Sequence, residues 1–157
     1  MSANRHLGRI VALQTLYEQD FRLECGDKGF NLDEVLKRNI ERYNKTIDDT
    51  AFIEKLVKGV DAKAAKLDKA LQPLAPEWPI SQIARMDRIV LRMGLYELLE
   101  NSETPHKVVI NEAVELSKAF GGENSSKFIN GVLGTALRQE EAKSKKKPAS
   151  KSKKATK

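Results

Sequence analysis

Apolar residues recur every three or four positions along most of this chain, and that spacing constrains the fold more than any other feature of the sequence. It is the spacing that places residues on one face of an α-helix. No segment alternates apolar and polar residues as a half-buried β-strand does. The sequence therefore predicts an all-α protein, and its 157 residues are enough to bury a stable core without disulfides.

The apolar stripes of the first half predict three helices, at about 4–24, 31–43 and 52–71. The stripe of the first helix includes Tyr17 and Phe21. The second helix opens on Asn31 and Glu34, whose three-residue spacing is typical of a capping box. The third stripe is long enough for one extended helix or for two nearly collinear helices.

A proline-rich linker separates the two halves of the chain. It contains Pro73, Pro76 and Pro79, which punctuate the helical pattern. Trp78 lies among them, and we expect it to be a hydrophobic anchor between the halves. The second half of the chain begins near residue 80. Apolar residues from Met86 to Leu99 cover most of a central helix, which indicates burial on most sides. Two more helices are predicted, at about 105–120 and 124–141.

The predicted organisation is two small helical bundles, at about 1–75 and 80–141, followed by a basic tail at 142–157. The whole chain carries a net charge of +6, but the tail holds eight lysines and no acid, so the body is mildly acidic. With nothing apolar to bury, the tail is predicted to be disordered. It either improves solubility or attracts RNA phosphates weakly. A body that binds nucleic acid must do so through a local basic patch.

The sequence has neither a secretion signal nor a membrane span. Its N-terminus lacks the apolar run of a signal peptide, and no segment approaches the roughly 20 apolar residues that cross a membrane. The single cysteine, Cys25, cannot form an internal disulfide, which is typical of a reducing compartment. We therefore expect a cytoplasmic protein.

No motif is typical of catalysis, so we expect neither an enzyme nor a bound metal or cofactor. The two histidines, His6 and His106, are far apart in the sequence, and no cluster has metal-ligand spacing. A Walker loop and a dinucleotide fingerprint are also missing from the sequence. Gly131 and Gly134 have the GxxG spacing of an RNA clamp, but they lie within an apolar helical stripe. Close packing of two helices explains these two glycines better. The same explanation applies to Gly59 and Gly94.

Three features favour binding. Arg5 and Arg9 are four residues apart on one helix face, with His6 at its edge, an arrangement that suits RNA phosphates and base edges. A solvated helix start explains the same spacing.

The second feature is a helix start with side chains that could hold a phosphate and stack a base: Asn124, Ser125, Lys127 and Phe128. A capped helix with its aromatic residue in the core is the alternative. The third feature is a candidate partner surface at Tyr17 and Asp87.

Together these motifs resemble the NusB family of bacterial transcription antitermination factors. The first block is RHLGRIVALQTLY at residues 5–17, and the second is RIVLRMGLYEL at 88–98. The third is VVINEAVELSKAFG at 108–121, followed by KFINGVL at 127–133. The resemblance covers about 3–139 and leaves the tail unexplained.

The resemblance implies an all-α fold of two three-helix bundles packed together. It implies binding to the boxA element of nascent ribosomal RNA, as a heterodimer with the small-subunit ribosomal protein NusE. Such a complex joins RNA polymerase and suppresses premature termination. By the same resemblance, seven residues contact single-stranded RNA: Arg5, His6, Arg9, Asn124, Ser125, Lys127 and Phe128. Tyr17 and Asp87 match positions that face NusE.

Two departures from the family pattern bear on RNA binding. His6 stands where the family often has arginine, and an ordinary imidazole is mostly neutral at neutral pH, which predicts a weaker and pH-sensitive contact. Asn124 stands where the family often has an acid, and losing that negative charge is expected to favour RNA. Two alternatives stay open. One is the NusB-like RNA-binding domain of an rRNA cytosine methyltransferase, although this chain has no fold for the methyl donor. The other is a structural homodimer with a buried arginine face.

Overall fold

The computed structural model describes residues 3–43, 45–100 and 103–155, and within them it has six α-helices and no β-strand. The helices are α1 (Ala3–Glu24), α2 (Leu32–Glu41), α3 (Thr50–Leu71), α4 (Arg85–Glu100), α5 (His106–Phe120) and α6 (Ser125–Ala155). Short 3-10 turns at Gln72–Leu74 and Ile80–Gln82 lie between α3 and α4. The predicted all-α fold is confirmed. In the part of the chain described here, no helix is long and apolar enough to cross a membrane.

The helices form two bundles of three that share one continuous hydrophobic core. Helix α1 packs against α2 and α3, whereas α4 packs against α5 and α6. The bundles meet where α4 lies against α1 and α3. Helix α4 is therefore central, and its residues Ile89, Val90 and Leu91 are fully buried, as its nearly continuous apolar surface predicted.

Side-chain caps begin α2 and α3. The Asn31 side chain accepts a hydrogen bond from the Glu34 backbone N–H at 3.0 Å, which confirms the predicted helix start. Asp49 does the same for Phe52 at 3.1 Å. A cap satisfies one of the backbone donors that the first helical turn leaves without a partner.

The linker is fixed by an amide side chain, and the expectation that Trp78 anchors the two halves is wrong. Trp78 is 56% exposed. Gln72 holds the loop instead, because its Nε2 donates to the Trp78 carbonyl at 2.8 Å and its Oε1 accepts from the Ile80 N–H at 2.9 Å. Ile80 and Ile83 supply the buried apolar contacts of this segment.

Helix α6 is longer than the sequence predicted. The helix was expected to end near residue 141, whereas the backbone is helical as far as Ala155. Lysine and alanine both have high helix propensity. Extending an existing helix adds one hydrogen bond for each residue that is ordered. The side chains at 142–144 are exposed, in keeping with a segment that has nothing apolar to bury.

Two glycines allow helices to approach closely, as predicted. A Cβ atom added at Gly59 would lie 2.2 Å from the Cζ and Oη atoms of Tyr96, on the facing helix α4. One added at Gly94 would lie 2.6 Å from the Cδ1 atom of Leu133 in α6. Neither site has room for a side chain without a shift in the buried neighbour.

The same explanation is wrong for the two glycines of the GxxG sequence. A Cβ atom at Gly131 would meet nothing within 4 Å, because this residue lies on the exposed face of α6. One at Gly134 would meet only the Arg138 side chain, 3.6 Å away on the same helix.

Ion pairs join α1 and α3 to α4. The Asp20 carboxylate accepts hydrogen bonds from Arg85 Nε and Arg88 NH2, each at 2.7 Å. Arg92 donates two hydrogen bonds to Asp68, also at 2.7 Å. Burial raises the pKa of Asp20, but the hydrogen bonds and charges of Arg85 and Arg88 outweigh it and hold that pKa below its ordinary value. The hydrogen bond to Asp68 raises the pKa of Arg92.

We expect Gly59→Ala to lower the free energy of unfolding. Overpacking a buried contact costs about 1–3 kcal/mol, whereas the higher helix propensity of alanine returns at most about 1 kcal/mol. Urea unfolding monitored by circular dichroism measures the change. Gly131→Ala is the matched control, and because its site is open it should gain up to about 1 kcal/mol. Equal gains in both variants would contradict the close approach of α3 and α4.

We expect Asp20→Asn to destabilise the protein at neutral pH and much less in acid. The folded-state pKa of Asp20 lies below its ordinary value of 3.8, so folding favours the carboxylate. That contribution is fully present above the ordinary pKa and is lost as the pH falls through the lowered folded-state pKa. In unfolding curves measured at a series of pH values, the deficit of the variant should therefore shrink as the pH falls below the ordinary pKa toward the lowered folded-state pKa. Glu115→Gln, an exposed carboxylate on α5, is the control; a pH-independent deficit for Asp20→Asn would contradict this account.

Candidate nucleic-acid interface

The three residues predicted at the start of α1 do not share one exposed face, because Arg9 is buried. Its side chain is 1% exposed. Its guanidinium donates two hydrogen bonds to the equally buried Glu97 carboxylate on α4, from Nε at 3.0 Å and from NH2 at 2.9 Å. Arg9 in this position cannot reach a phosphate without leaving its ion pair.

The burial of Arg9 follows from the packing of α1. Leu13 and Leu16 continue the face on which Arg9 lies, and both are buried against the rest of the protein. The buried part of this face therefore begins at Arg9. A signal for this burial was present in the sequence: Glu97 is an acid within the helix whose surface is mostly covered by apolar residues, and a buried acid needs a cation.

Arg5 lies at the edge of the protein, where α1 meets the start of α3 and the turn before α5. Its side chain is 21% exposed. It donates to Thr104 Oγ1 at 3.3 Å and to Asp49 Oδ2 at 3.4 Å, and Glu103 lies 4.0 Å away. The ring of Phe52 stacks under Arg5 at 4.6 Å and under Arg9 at 5.0 Å. A phosphate that binds Arg5 competes with these acids.

His6 connects α1 to α5. Its Nδ1 atom lies 2.7 Å from Oε2 of Glu112, which is within hydrogen-bond distance. The imidazole remains about half exposed, whereas the glutamate is mostly covered. His6 therefore presents a ring edge to solvent from a fixed position, and its pH-sensitive RNA contact stays a prediction.

The second predicted segment is a turn and a helix start. Ser125 is buried, and its Oγ accepts a hydrogen bond from the Gly122 N–H at 2.9 Å, so this hydroxyl holds the turn. Asn124 and Lys127 are exposed. Phe128 is half-buried and packs against the core along one side. Of the four predicted side chains, two are thus open to solvent, one is partly open and one is engaged within the turn.

The structure brings Phe128 next to Asp87, a residue predicted to face a protein partner. Both line a pocket of about 260 Å³, together with the exposed ring of Trp78. The Oδ1 atom of Asp87 is buried and has no hydrogen-bond partner among the described residues. Trp78 belongs to none of the sequence motifs that indicate a site; its place in a linker otherwise rich in proline was the available signal.

Tyr17 lies in an apolar groove of about 460 Å³ that is lined by residues of α1, by Met86 of α4 and by Phe120 of α5. Phe21 and Phe120 form its exposed walls, with exposures of 50% and 42%. The stripe of α1 had suggested that Phe21 faces the core, but it lies beside the Arg85 guanidinium at 5.2 Å instead. Clustered exposed aromatic side chains are typical of a surface that binds a protein.

The chemistry available on these surfaces is charge pairing, hydrogen bonding and aromatic stacking. Within residues 3–43, 45–100 and 103–155, no group of three or more His, Cys, Asp or Glu side chains is arranged to hold a metal ion. The only cysteine of the chain, Cys25, is exposed at the end of α1.

Comparison with known proteins relates this arrangement to a family. A sequence model described as the NusB family matches residues 6–138. The chain belongs to the NusB family. The transcription antitermination protein NusB of Chloroflexus aggregans is 42% identical over 139 residues, which cover 87% of this chain and 89% of that protein.

Solved structures of NusB proteins have the same fold. NusB of T. maritima matches with a TM-score of 0.77 and 27% identity, over 88% of this chain and 93% of that one. A chain from a crystal structure of the antitermination factors NusB and NusE in complex with double-stranded RNA matches with a TM-score of 0.75 and 26% identity. That match covers 88% of this chain and 99% of the other.

We expect Glu97→Ala to destabilise the protein by about 3–5 kcal/mol, because it leaves the Arg9 guanidinium buried without a counter-charge. Replacing both partners, as Arg9→Met with Glu97→Met, should cost much less, since an apolar pair of similar volume often substitutes for a buried ion pair. Urea unfolding of the two variants measures the difference. Equal losses in both would show that packing, and not the ion pair, fixes this contact.

Proposed function

We propose that this chain is a transcription antitermination factor that binds the boxA element of nascent ribosomal RNA together with NusE. In this proposal the complex joins elongating RNA polymerase and suppresses premature termination. The observation that carries it is the match, over 88% of this chain, to a NusB structure in complex with NusE and RNA. The protein acts by binding, without catalysis, and in the cytoplasm.

The RNA surface in this proposal is smaller than the sequence motif. It consists of Arg5 and His6 on α1 and of Asn124, Lys127 and Phe128 at the start of α6. Exposed cations attract phosphates, and a partly open aromatic ring stacks on an unpaired base. Two residues of the predicted set act indirectly. Arg9 holds α1 on α4 through Glu97, and Ser125 closes the turn before α6.

The NusE surface in this proposal is the apolar groove around Tyr17, Phe21 and Phe120, extended by the pocket at Asp87. The groove offers apolar area, and the buried carboxylate oxygen of Asp87 lacks a donor among the described residues. Because Phe128 lines the Asp87 pocket, the partner and RNA surfaces are adjacent. This adjacency provides a direct route by which bound NusE increases the affinity for RNA.

Titration of labelled boxA RNA and a scrambled RNA, with and without NusE and at two or more salt concentrations, tests the proposal. We expect preference for boxA, and tighter binding when NusE is added. Arg5→Ala and Lys127→Ala should each reduce the salt slope by about one, since each removes one phosphate contact. Arg9→Met combined with Glu97→Met should leave that slope unchanged. Asp87→Asn should weaken the effect of NusE without changing binding of RNA alone.

Lys58→Ala removes an exposed lysine from α3 that pairs with Asp33, and it is the matched control for loss of charge. Double-stranded boxA RNA should be titrated beside the single strand, because the solved complex contains a duplex. Equal binding of both sequences, unaffected by NusE, would contradict the proposed function and assign the affinity to the lysine tail.

A further inference from the structure

One cavity shares no lining residue with the pockets of the proposed NusE surface or with the proposed RNA surface. It has a volume of about 1080 Å³ and is bounded by the end of α3, the linker and α4. Pro73, Pro76 and Ile80 line one side of it. Arg88 and Arg92 line the other side, so the cavity combines an apolar wall with a basic one.

The cavity is built into the fold. Gln72, which also lines it, holds the linker through hydrogen bonds to the Trp78 carbonyl and the Ile80 N–H, at 2.8 and 2.9 Å. Prolines have a fixed φ angle, so the loop that forms the apolar wall has little freedom to close. A ligand therefore meets a preformed surface.

Arg88 lines this cavity, and one donor of its guanidinium has no partner within the described structure. Its NH2 group binds Asp20 at 2.7 Å, but its Nε atom is buried and has no hydrogen-bond partner among the described residues. Arg92, in contrast, is engaged by Asp68 through two hydrogen bonds. A buried donor without an acceptor is unfavourable, so an anion that reaches Arg88 Nε gains a charge-assisted hydrogen bond.

The charges around the cavity favour an acid. Its lining includes the cations Lys69, Arg88 and Arg92 but only one acid, Asp68. Asp68 and Asp20 offset part of the charge of Arg92 and Arg88. A net positive charge remains at the cavity, in a body that has more acids than bases. The lysine tail of the chain carries the same sign and is repelled.

We propose that this cavity binds an acidic segment of a protein partner. A glutamate or aspartate carboxylate accepts a hydrogen bond from Arg88 Nε, and a neighbouring apolar side chain packs against Pro73, Pro76 and Ile80. An RNA phosphate fits less well, because the donor is recessed and the ribose hydroxyls would lie against the apolar wall. The site is separate from Arg5, Lys127 and Tyr17, and it does not depend on the proposed function.

Nuclear magnetic resonance tests this with two probes, acetyl-Leu-Glu-amide and acetyl-Leu-Gln-amide, added to the full-length ¹⁵N-labelled protein. We expect the glutamate peptide to cause a saturable shift of the Arg88 Nε–H resonance, and the glutamine peptide at the same concentration to cause none. Ser81→Trp should abolish the shift, because Ser81 is exposed at the cavity and a bulky ring there blocks it. Ser126→Trp at the start of α6 is the control for adding tryptophan.

Backbone spectra of both tryptophan variants establish that they fold. No saturable shift with the glutamate peptide, or equal shifts with both peptides, would overturn the proposal. A larger shift of Arg88 with inorganic phosphate or with a short RNA would also overturn it, in favour of a phosphate site. Because the titration contains neither boxA RNA nor NusE, failure of this site leaves the antitermination proposal unaffected.

Discussion

The buried ion pair between Arg9 and Glu97 is the contact on which the proposed binding surfaces depend. It joins α1, the first helix of one bundle, to α4, the central helix of the other. A buried charge is tolerated only with its counter-charge, so the pair specifies which turn of α1 faces α4. Once that turn is fixed, Arg5 lies at the edge of the protein beside Asp49, and His6 lies against Glu112.

Most arginines at the interface between the two bundles stabilise that interface and are not free to bind RNA. Arg85 and Arg88 share Asp20, and Arg92 binds Asp68. The positive charge of the body is thus divided between arginines in structural ion pairs and lysines that are mostly exposed. Binding to RNA in such a protein depends on where individual cations lie, because the body as a whole is mildly acidic.

The residues of the proposed binding surfaces differ in how readily a sequence indicates their exposure. Lys127 and Asn124 follow a glycine turn and begin a helix, so their exposure was predictable. The pocket shared by Phe128, Asp87 and Trp78 joins three distant segments, and no local pattern indicates it. Trp78 illustrates the difficulty: a large apolar side chain is usually buried, but here the amide of Gln72 holds the linker and leaves the ring exposed.

The sequence by itself determined the helices, their order and the cap at Asn31, because these follow from periodicity and short-range contacts. Its motifs also carried the resemblance to the NusB family. Tertiary structure decided which cations are available. Arg5 and Arg9 have the same spacing as two residues on a solvated face, yet one is near solvent and the other is buried. The difference comes from Glu97, which is 88 positions away in the sequence and adjacent to Arg9 in space. Helical spacing records the face on which a side chain lies, whereas its partner across a bundle interface depends on how whole helices pack.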